Sequence, residues 1–371
     1  MFKIPKKALF VIDRLTKNGY KAYIVGGCVR DILLGKMPND FDVTTSAKPE
    51  EIIKLFEKTI PTGIKHGTVT VLMENEAIEV TTFRTEGEYT DNRRPDSVDF
   101  VTDLQEDLAR RDFTVNAMAY NENEGVIDYF GGKEDLNAKI LKAVGNPEKR
   151  FLEDALRILR LFRFASTLNF EIHENTFTAA LKYSYLLKNV SRERIFEELK
   201  KAVLGDNFKI FAPIIECGAL GFLNITNIPD FEKIKNLQNY PSLCLYLFLG
   251  TNALSELKPS NEQKEYFKML DILSNMPLPQ TDADIKEMLN IANANVLNDF
   301  FVLNGLDTEK LENVINSGEP YSIAHLKING NDLINMGYKG EEIGKILEHL
   351  RRIVIENPKK NTKENLLKEI P

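Results

Sequence analysis

Cysteine is scarce in this 371-residue chain: Cys28, Cys217 and Cys244 are odd in number and far apart, which excludes a disulfide framework and a cysteine-built zinc cluster. A reducing cytoplasm is the compartment that fits. No apolar run approaches the roughly 20 residues needed to cross a bilayer; the most apolar stretch, Leu243 to Leu249, is far shorter. The N-terminal MFKIPKKALFVIDRL is basic, but its apolar residues are spaced as in an amphipathic helix and no small-residue cleavage site follows, so neither a signal peptide nor a membrane span is expected. Positive charge is also in deficit. Lys and Arg number 48 against 55 Asp and Glu, a net charge of -7, so any RNA or phosphate site must be a local basic patch. Internal repeats are absent.

The length suits about two domains. Residues 1–138 hold the β-branched runs and glycines: KAYIVGG, FDVTT, GTVTVLM, AIEVTTF, VDFV and GVIDYFGG read as short strands separated by turns. Beyond Gly145-Asn146-Pro147 the period changes to 3.6, as in EDALRILRLFRFASTL and RERIFEELKKAVL, and an all-helical remainder is expected. Between 140 and 201, 12 Lys and Arg face 8 Asp and Glu, so basic charge gathers beside the α/β region. Pro277-Leu278-Pro279 and the Thr281-Asp282 cap signal mark a further boundary. A second basic cluster comprises Lys345, His349, Arg351, Arg352, Lys359, Lys360 and Lys363.

Five segments carry chemistry. Gly26-Gly27 follows a strand and opens a helix, a geometry that offers backbone N–H groups to a phosphate, with Arg30 within one turn to clamp it. This is not a Walker loop, since Gly35-Lys36 is followed by Met37. In Asn39-Asp40-Phe41-Asp42-Val43, strand alternation puts Asp40 and Asp42 on one face and Phe41 and Val43 on the other. Two like charges so placed call for a cation, and a hard divalent ion such as Mg²⁺ suits oxygen ligands. Glu79, in the alternating Ala77-Ile78-Glu79-Val80-Thr81, either supplies a third carboxylate or faces solvent. In Arg110-Arg111-Asp112-Phe113-Thr114-Val115-Asn116, Arg111 suits a triphosphate oxygen, and Asp112 or Asn116 a ribose hydroxyl; a salt-bridged helix start is the plainer alternative. Last, Asp154 and Arg157 stand at i and i+3 of an expected helix running from Glu153 to Arg163. One acceptor beside one donor matches the Watson–Crick edges of cytosine and adenine and mismatches uracil and guanine; an intrahelical ion pair is the alternative. Arg163 falls opposite Asp154 on that helix.

Taken in order, GGCVRDILLG, NDFDV, HGTVTV, IEVTTFR, RRDFTVNAMA, DYFGG and FLEDALRILRLFRFA resemble the class II tRNA nucleotidyltransferases, the bacterial CCA-adding enzymes and their poly(A) polymerase relatives. The resemblance is dense over residues 20 to 200 and thinner in NGNDLINMGYKGEEIGKILEHL. It implies an α+β protein: a β-polymerase-like nucleotidyltransferase head with a mixed sheet (1–138), then an all-helical neck (139–205), body (206–278) and tail (279–371). It also implies Mg²⁺ on Asp40 and Asp42, with incoming CTP or ATP held by Gly27, Arg30 and Arg111 and with Gly26 beside them. Asp154 and Arg157 would be the amino-acid template, and Arg160 and Arg163 would be further nucleotide contacts. The implied partner is tRNA, gripped at acceptor end and elbow, and such enzymes are often homodimers. The polar linker at 85–94 matches the family's loop for switching from C to A, which favours full CCA addition over CC-only, A-only or poly(A) synthesis.

Overall fold

The computed structural model describes residues 4–73, 76–87 and 98–370, in two compact units, Met1–Lys235 and Asn236–Pro371. In the first unit, α1 (Lys6–Lys17) buries Ala8, Val11, Ile12 and Leu15, the apolar stripe its spacing announces. It packs on β1 (Ala22–Val25), which runs into α2 (Gly27–Leu33). There follow β2 (Val43–Thr45), α3 (Pro49–Leu55), β3 (Thr59–Gly63), β4 (Thr68–Met73), β5 (Glu76–Thr82) and β6 (Arg84–Glu86). Next come β7 (Val98–Phe100), α4 (Leu104–Ala109), β8 (Met118–Asn121), β9 (Gly125–Asp128) and α5 (Gly132–Ala138).

Among the described residues one sheet has the order β3-β4-β5-β2-β1-β8-β9, and it is mixed because β2 and β5 run parallel while the other neighbours are antiparallel. Tyr23, Val25 and Ala119 of this sheet pack with Phe83 and with Leu104 and Leu108 of α4. Two strands escape a reading based on alternation. β3 is a largely exposed edge with little apolar signal, and β8 has Met118 and Ala119 buried in succession between β1 and β9. Strands β6 and β7 pair as a separate ribbon.

The chain then turns helical: after β10 (Ile140–Leu141) come α6 (Pro147–Glu153), α7 (Leu156–Leu168), β11 (Glu171–Ile172), α8 (Glu174–Tyr183) and α9 (Arg192–Ala202). The expectation of no strand beyond residue 147 is corrected by β11, whose two residues pair in parallel with β10. So short a strand leaves no periodicity to detect. Helix α7 packs against α9, and α6 against α8.

The second unit is built of helices including Pro241–Glu256, Asn261–Ser274, Asp282–Ile291, Ala294–Leu303, Thr308–Asn316 and Glu341–Glu356. The cap expected at Thr281 is present: its side chain accepts from the Asp284 N–H, and Asp284 reaches back. Ile328, Leu333, Ile346, Leu347, Leu350, Val354 and Leu366 form a core in this unit. Arg351, expected in a surface basic cluster, is instead buried and paired with Glu287 and Glu348. Among the described residues no helix is long and apolar enough to cross a membrane.

Candidate active site

The β2 strand begins only at Val43, so Asp40 and Asp42 lie on its approach and not within it, as the sequence had placed them. The alternation nonetheless holds. The Val25 N–H donates to the Asp42 carbonyl, Phe41 and Val43 are buried, and Asp40 and Asp42 are exposed. Because Val43 pairs in register with Val80 of the parallel β5, Glu79 stands beside Asp42, also exposed. Protein packed on its inner side, then the Asp40 charge, push the Asp42 carboxyl up to about 6; Arg111 opposes and Glu79 adds to the rise. This negative charge on oxygen ligands, only partly offset by Arg111, fits a divalent cation. Among the described residues no three His, Cys, Asp or Glu side chains close into a metal-holding group, so Glu79 shares the face without completing a set of three. Burial pushes the adjacent Cys28 thiol up to about 11, which excludes it as a nucleophile near neutrality.

The glycine turn follows directly on Val25, whose N–H donates to the Asp42 carbonyl. Gly26 has φ of +81°, a conformation that favours glycine, and a Cβ there would stand 3.0 Å from Nη1 of Arg111. A Cβ on Gly27 would stand 3.6 Å from Nη2 of Arg30. The turn is therefore flanked by two guanidiniums, as a phosphate site requires. Arg30 is buried, donates from Nη1 to Asn116 Oδ1 at 2.7 Å and pairs with Asp31. Nε of Arg111 is buried without a hydrogen-bond partner, while Nη2 reaches Asp107 at 3.4 Å.

Asp112 and Asn116 are both buried. Asp112 accepts from the Phe113 N–H, from Asn116 Nδ2 at 3.1 Å, and from Nε and Nη2 of Arg160 at 2.9 and 2.6 Å. Burial alone would raise this carboxyl; the Arg160 pairing overrides it and brings the pKa down to about 2. Arg163 pairs with Glu198, and the guanidinium carbons of Arg30, Arg160 and Arg163 lie 5.1, 5.3 and 3.7 Å from the centre of the Phe164 ring. Three cations thus gather around one aromatic ring.

The expected continuous helix from Glu153 to Arg163 is interrupted. Helix α6 ends at Glu153, and Asp154 is extended, with φ of -138° and ψ of 105°. Its Oδ1 accepts from the Leu156 N–H at 3.0 Å, starting α7 as a cap does. Asp154 and Arg157 each hold partners outside this pair. Arg194 of α9 donates to both Asp154 oxygens, at 3.3 and 2.7 Å. The buried Arg157 donates to Glu153 at 2.6 Å and to the carbonyls of Arg150 and Arg110 at 3.2 and 3.0 Å.

A cleft of about 880 Å³ adjoins this region, lined in part by Thr85, Gly87, Arg110, Asn146 and Lys149. The linker expected at 85–94 falls mostly outside the described residues: Gly87 is its last described position, and Glu88, Tyr89, Thr90 and Asp91 are beyond it. Sequence reasoning missed Asp107, Arg194 and Glu198. Asp107 carried a local signal, being three and four residues before Arg110 and Arg111; the other two act across 35 to 40 residues.

A mixed sheet, paired carboxylates on the approach to one of its strands and a glycine turn flanked by arginines define a nucleotidyltransferase head. The model of the poly A polymerase head domain matches residues 22–142, and that of the probable RNA and SrmB-binding site of polymerase A matches residues 169–230. The chain is 39% identical to the CCA-adding enzyme of Lactococcus lactis subsp. cremoris strain MG1363, covering 97% of this chain and 94% of that protein. It is 52% identical over 212 residues to the CCA-adding enzyme of Enterococcus faecalis, covering 57% of this chain and 52% of that one. The crystal structure of the Bacillus stearothermophilus CCA-adding enzyme in complex with CTP aligns with a TM-score of 0.82 at 33% identity, covering 98% of this chain and 97% of that chain. The chain belongs to the CCA-adding enzyme family.

Proposed function

We propose that this protein adds and repairs the 3′-terminal CCA of tRNA, using CTP and ATP, in the cytoplasm. The observation that carries the reading is the convergence, within one unit, of Asp40 and Asp42, the Gly26-Gly27 turn with Arg30 and Arg111, and a single acceptor and donor at Asp154 and Arg157. Nucleotidyl transfer needs each: charge control at the reacting phosphorus, a grip on the phosphates, and a choice of base. In the reaction the tRNA 3′-hydroxyl attacks the α-phosphorus in line and pyrophosphate leaves. Asp40 and Asp42 would hold Mg²⁺, which when bound offsets the charge developing on the transferred group. Arg30 and Arg111 bind the triphosphate at the glycine turn.

Base choice follows from what the resting partners of the template are. Arg194 gives Asp154 donors, as the exocyclic amino groups of cytosine and adenine do. Glu153 and two carbonyls give Arg157 acceptors, as N3 of cytosine and N1 of adenine do. The nucleotide exchanges like for like at Asp154 and Arg157, so neither template group is left unpaired as the base enters. Uracil and guanine offer the reverse pattern at both positions. Phosphate contacts by the helical regions hold the tRNA without reading its sequence. The working division is head 1–138, neck 139–205, body 206–278 and tail 279–371; the boundary between the two compact units, after Lys235, falls within the body. Incubating the protein with tRNA lacking CCA and labelled CTP or ATP tests the reading: incorporation of C and then A supports it, and no incorporation of either rejects it.

A further inference from the structure

Asp107 lies on α4, in an acidic segment to which the sequence assigned no chemistry, and it is fully buried. A buried carboxylate is tolerated where it is paired and hydrogen-bonded. Its Oδ1 accepts from the Arg84 backbone N–H at 3.3 Å and from Nε and Nη2 of Arg110 at 3.0 and 2.8 Å. Its Oδ2 accepts at 3.3 Å from Thr44 Oγ1, whose one hydrogen is shared with the Thr81 carbonyl at 3.2 Å, and from Arg111 Nη2 at 3.4 Å. These donors come from β2 two residues past Asp42, from the first residue of β6, and from the turn that follows α4. Nη1 of the same Arg111 lies against the Gly26 turn, and its Nε is buried without a partner. One side of the guanidinium is thus anchored, and the rest is presented at the turn.

We propose that Asp107 is a positioning residue for nucleotidyl transfer: its carboxylate holds Arg111 against the Gly26-Gly27 turn and ties that phosphate clamp to the catalytic strand through Thr44. The inference rests on the reading of Arg111 as a phosphate contact given under Proposed function. Asp107 touches no substrate and acts through Arg111. Two adjacent guanidiniums share this one carboxylate. Without its charge Arg110 and Arg111 repel each other, and Arg111 must be drawn back to the turn each time a nucleotide binds. The cost falls on nucleotide affinity and not on the chemical step.

The test is a double-mutant cycle on C addition to tRNA lacking CCA, with wild type, Asp107→Asn, Arg111→Ala and the double variant. Asp107→Asn should raise the CTP KM about tenfold, the scale of a charge-assisted hydrogen bond, with kcat changed by less than about threefold. The tRNA KM should not move. In the Arg111→Ala background Asp107→Asn should add nothing further to the CTP KM. An unchanged CTP KM in Asp107→Asn, or the same factor with and without Arg111, overturns the proposal. If thermal unfolding shows that Asp107→Asn does not fold, Thr44→Val carries the test. It should raise the CTP KM about two- to threefold in the presence of Arg111 only, and an unchanged KM overturns the proposal. Failure of the wild type to extend tRNA rejects the functional reading instead. CTP titration by calorimetry still reads the coupling between Asp107 and Arg111 in that case.

Discussion

Replacing Asp112 by Asn tests whether the link between the sheet-bearing region and α7 stabilises the fold through charge. The carboxylate is buried and receives the Phe113 N–H, Asn116 and two donors of Arg160. Its pKa falls from 3.8 to about 2 on folding, because the Arg160 pairing outweighs burial. At about 1.4 kcal/mol per unit, the charged form contributes about 2 kcal/mol of stability. The folded value lies below the unfolded one, so this contribution is present above about pH 4 and is lost as the pH falls through about 2. Asp112→Asn should therefore unfold with about 2 kcal/mol less stability than wild type at pH 7, about 1 kcal/mol less at pH 3, and little difference at pH 2. Urea unfolding followed by far-UV circular dichroism reads the first transition. A gap that is the same at pH 7 and pH 3 would refute the electrostatic account and leave only a packing effect.

Asp40→Asn and Asp42→Asn should each abolish C and A incorporation together and leave tRNA affinity within about twofold, since both carboxylates serve the shared chemical step; substantial turnover in Mg²⁺ by either variant contradicts this. Arg157→Ala should narrow the preference for CTP over UTP by about 1 to 3 kcal/mol, the value of a charged hydrogen bond, and an unchanged ratio in competition assays would place base reading elsewhere. Affinity for tRNA should fall with rising salt despite the net charge of -7. Lys201→Glu should weaken tRNA binding, because Lys201 is exposed whereas Lys200 pairs with Glu197; an affinity independent of salt would point to a substrate other than RNA. Replacing residues 86–92 by Gly and Ser should preserve CC addition and suppress the terminal A, and equal loss of both steps would reduce the segment to a general support.

What the sequence disclosed was local. The alternation of Phe41 and Val43 against Asp40 and Asp42 survives where the backbone is extended but not yet paired as a strand, because burial of the two apolar side chains is enough to orient the segment. Gly26 could be placed from its neighbours because a strand followed at once by a helix needs such a turn. The break at Asp154 could not be seen, since the periodicity of Leu156, Leu159 and Phe162 continues smoothly back through Leu152. The partner that holds Asp154 extended, Arg194, is 40 residues away. The buried Arg351 was mistaken for surface charge for a similar reason: beside the local Glu348, it has a second counter-ion, Glu287, 64 residues distant. Composition shows that charges exist, and only tertiary structure shows which are already neutralised.

CCA addition is read out at single-nucleotide level by sequencing the 3′ ends made from a tRNA that stops at the base preceding CCA, incubated with all four nucleoside triphosphates and Mg²⁺. C, C and A should be added in that order and synthesis should then stop, with U and G absent beyond background. Runs of A, termination after the second C, or incorporation of U or G at a comparable rate would contradict it.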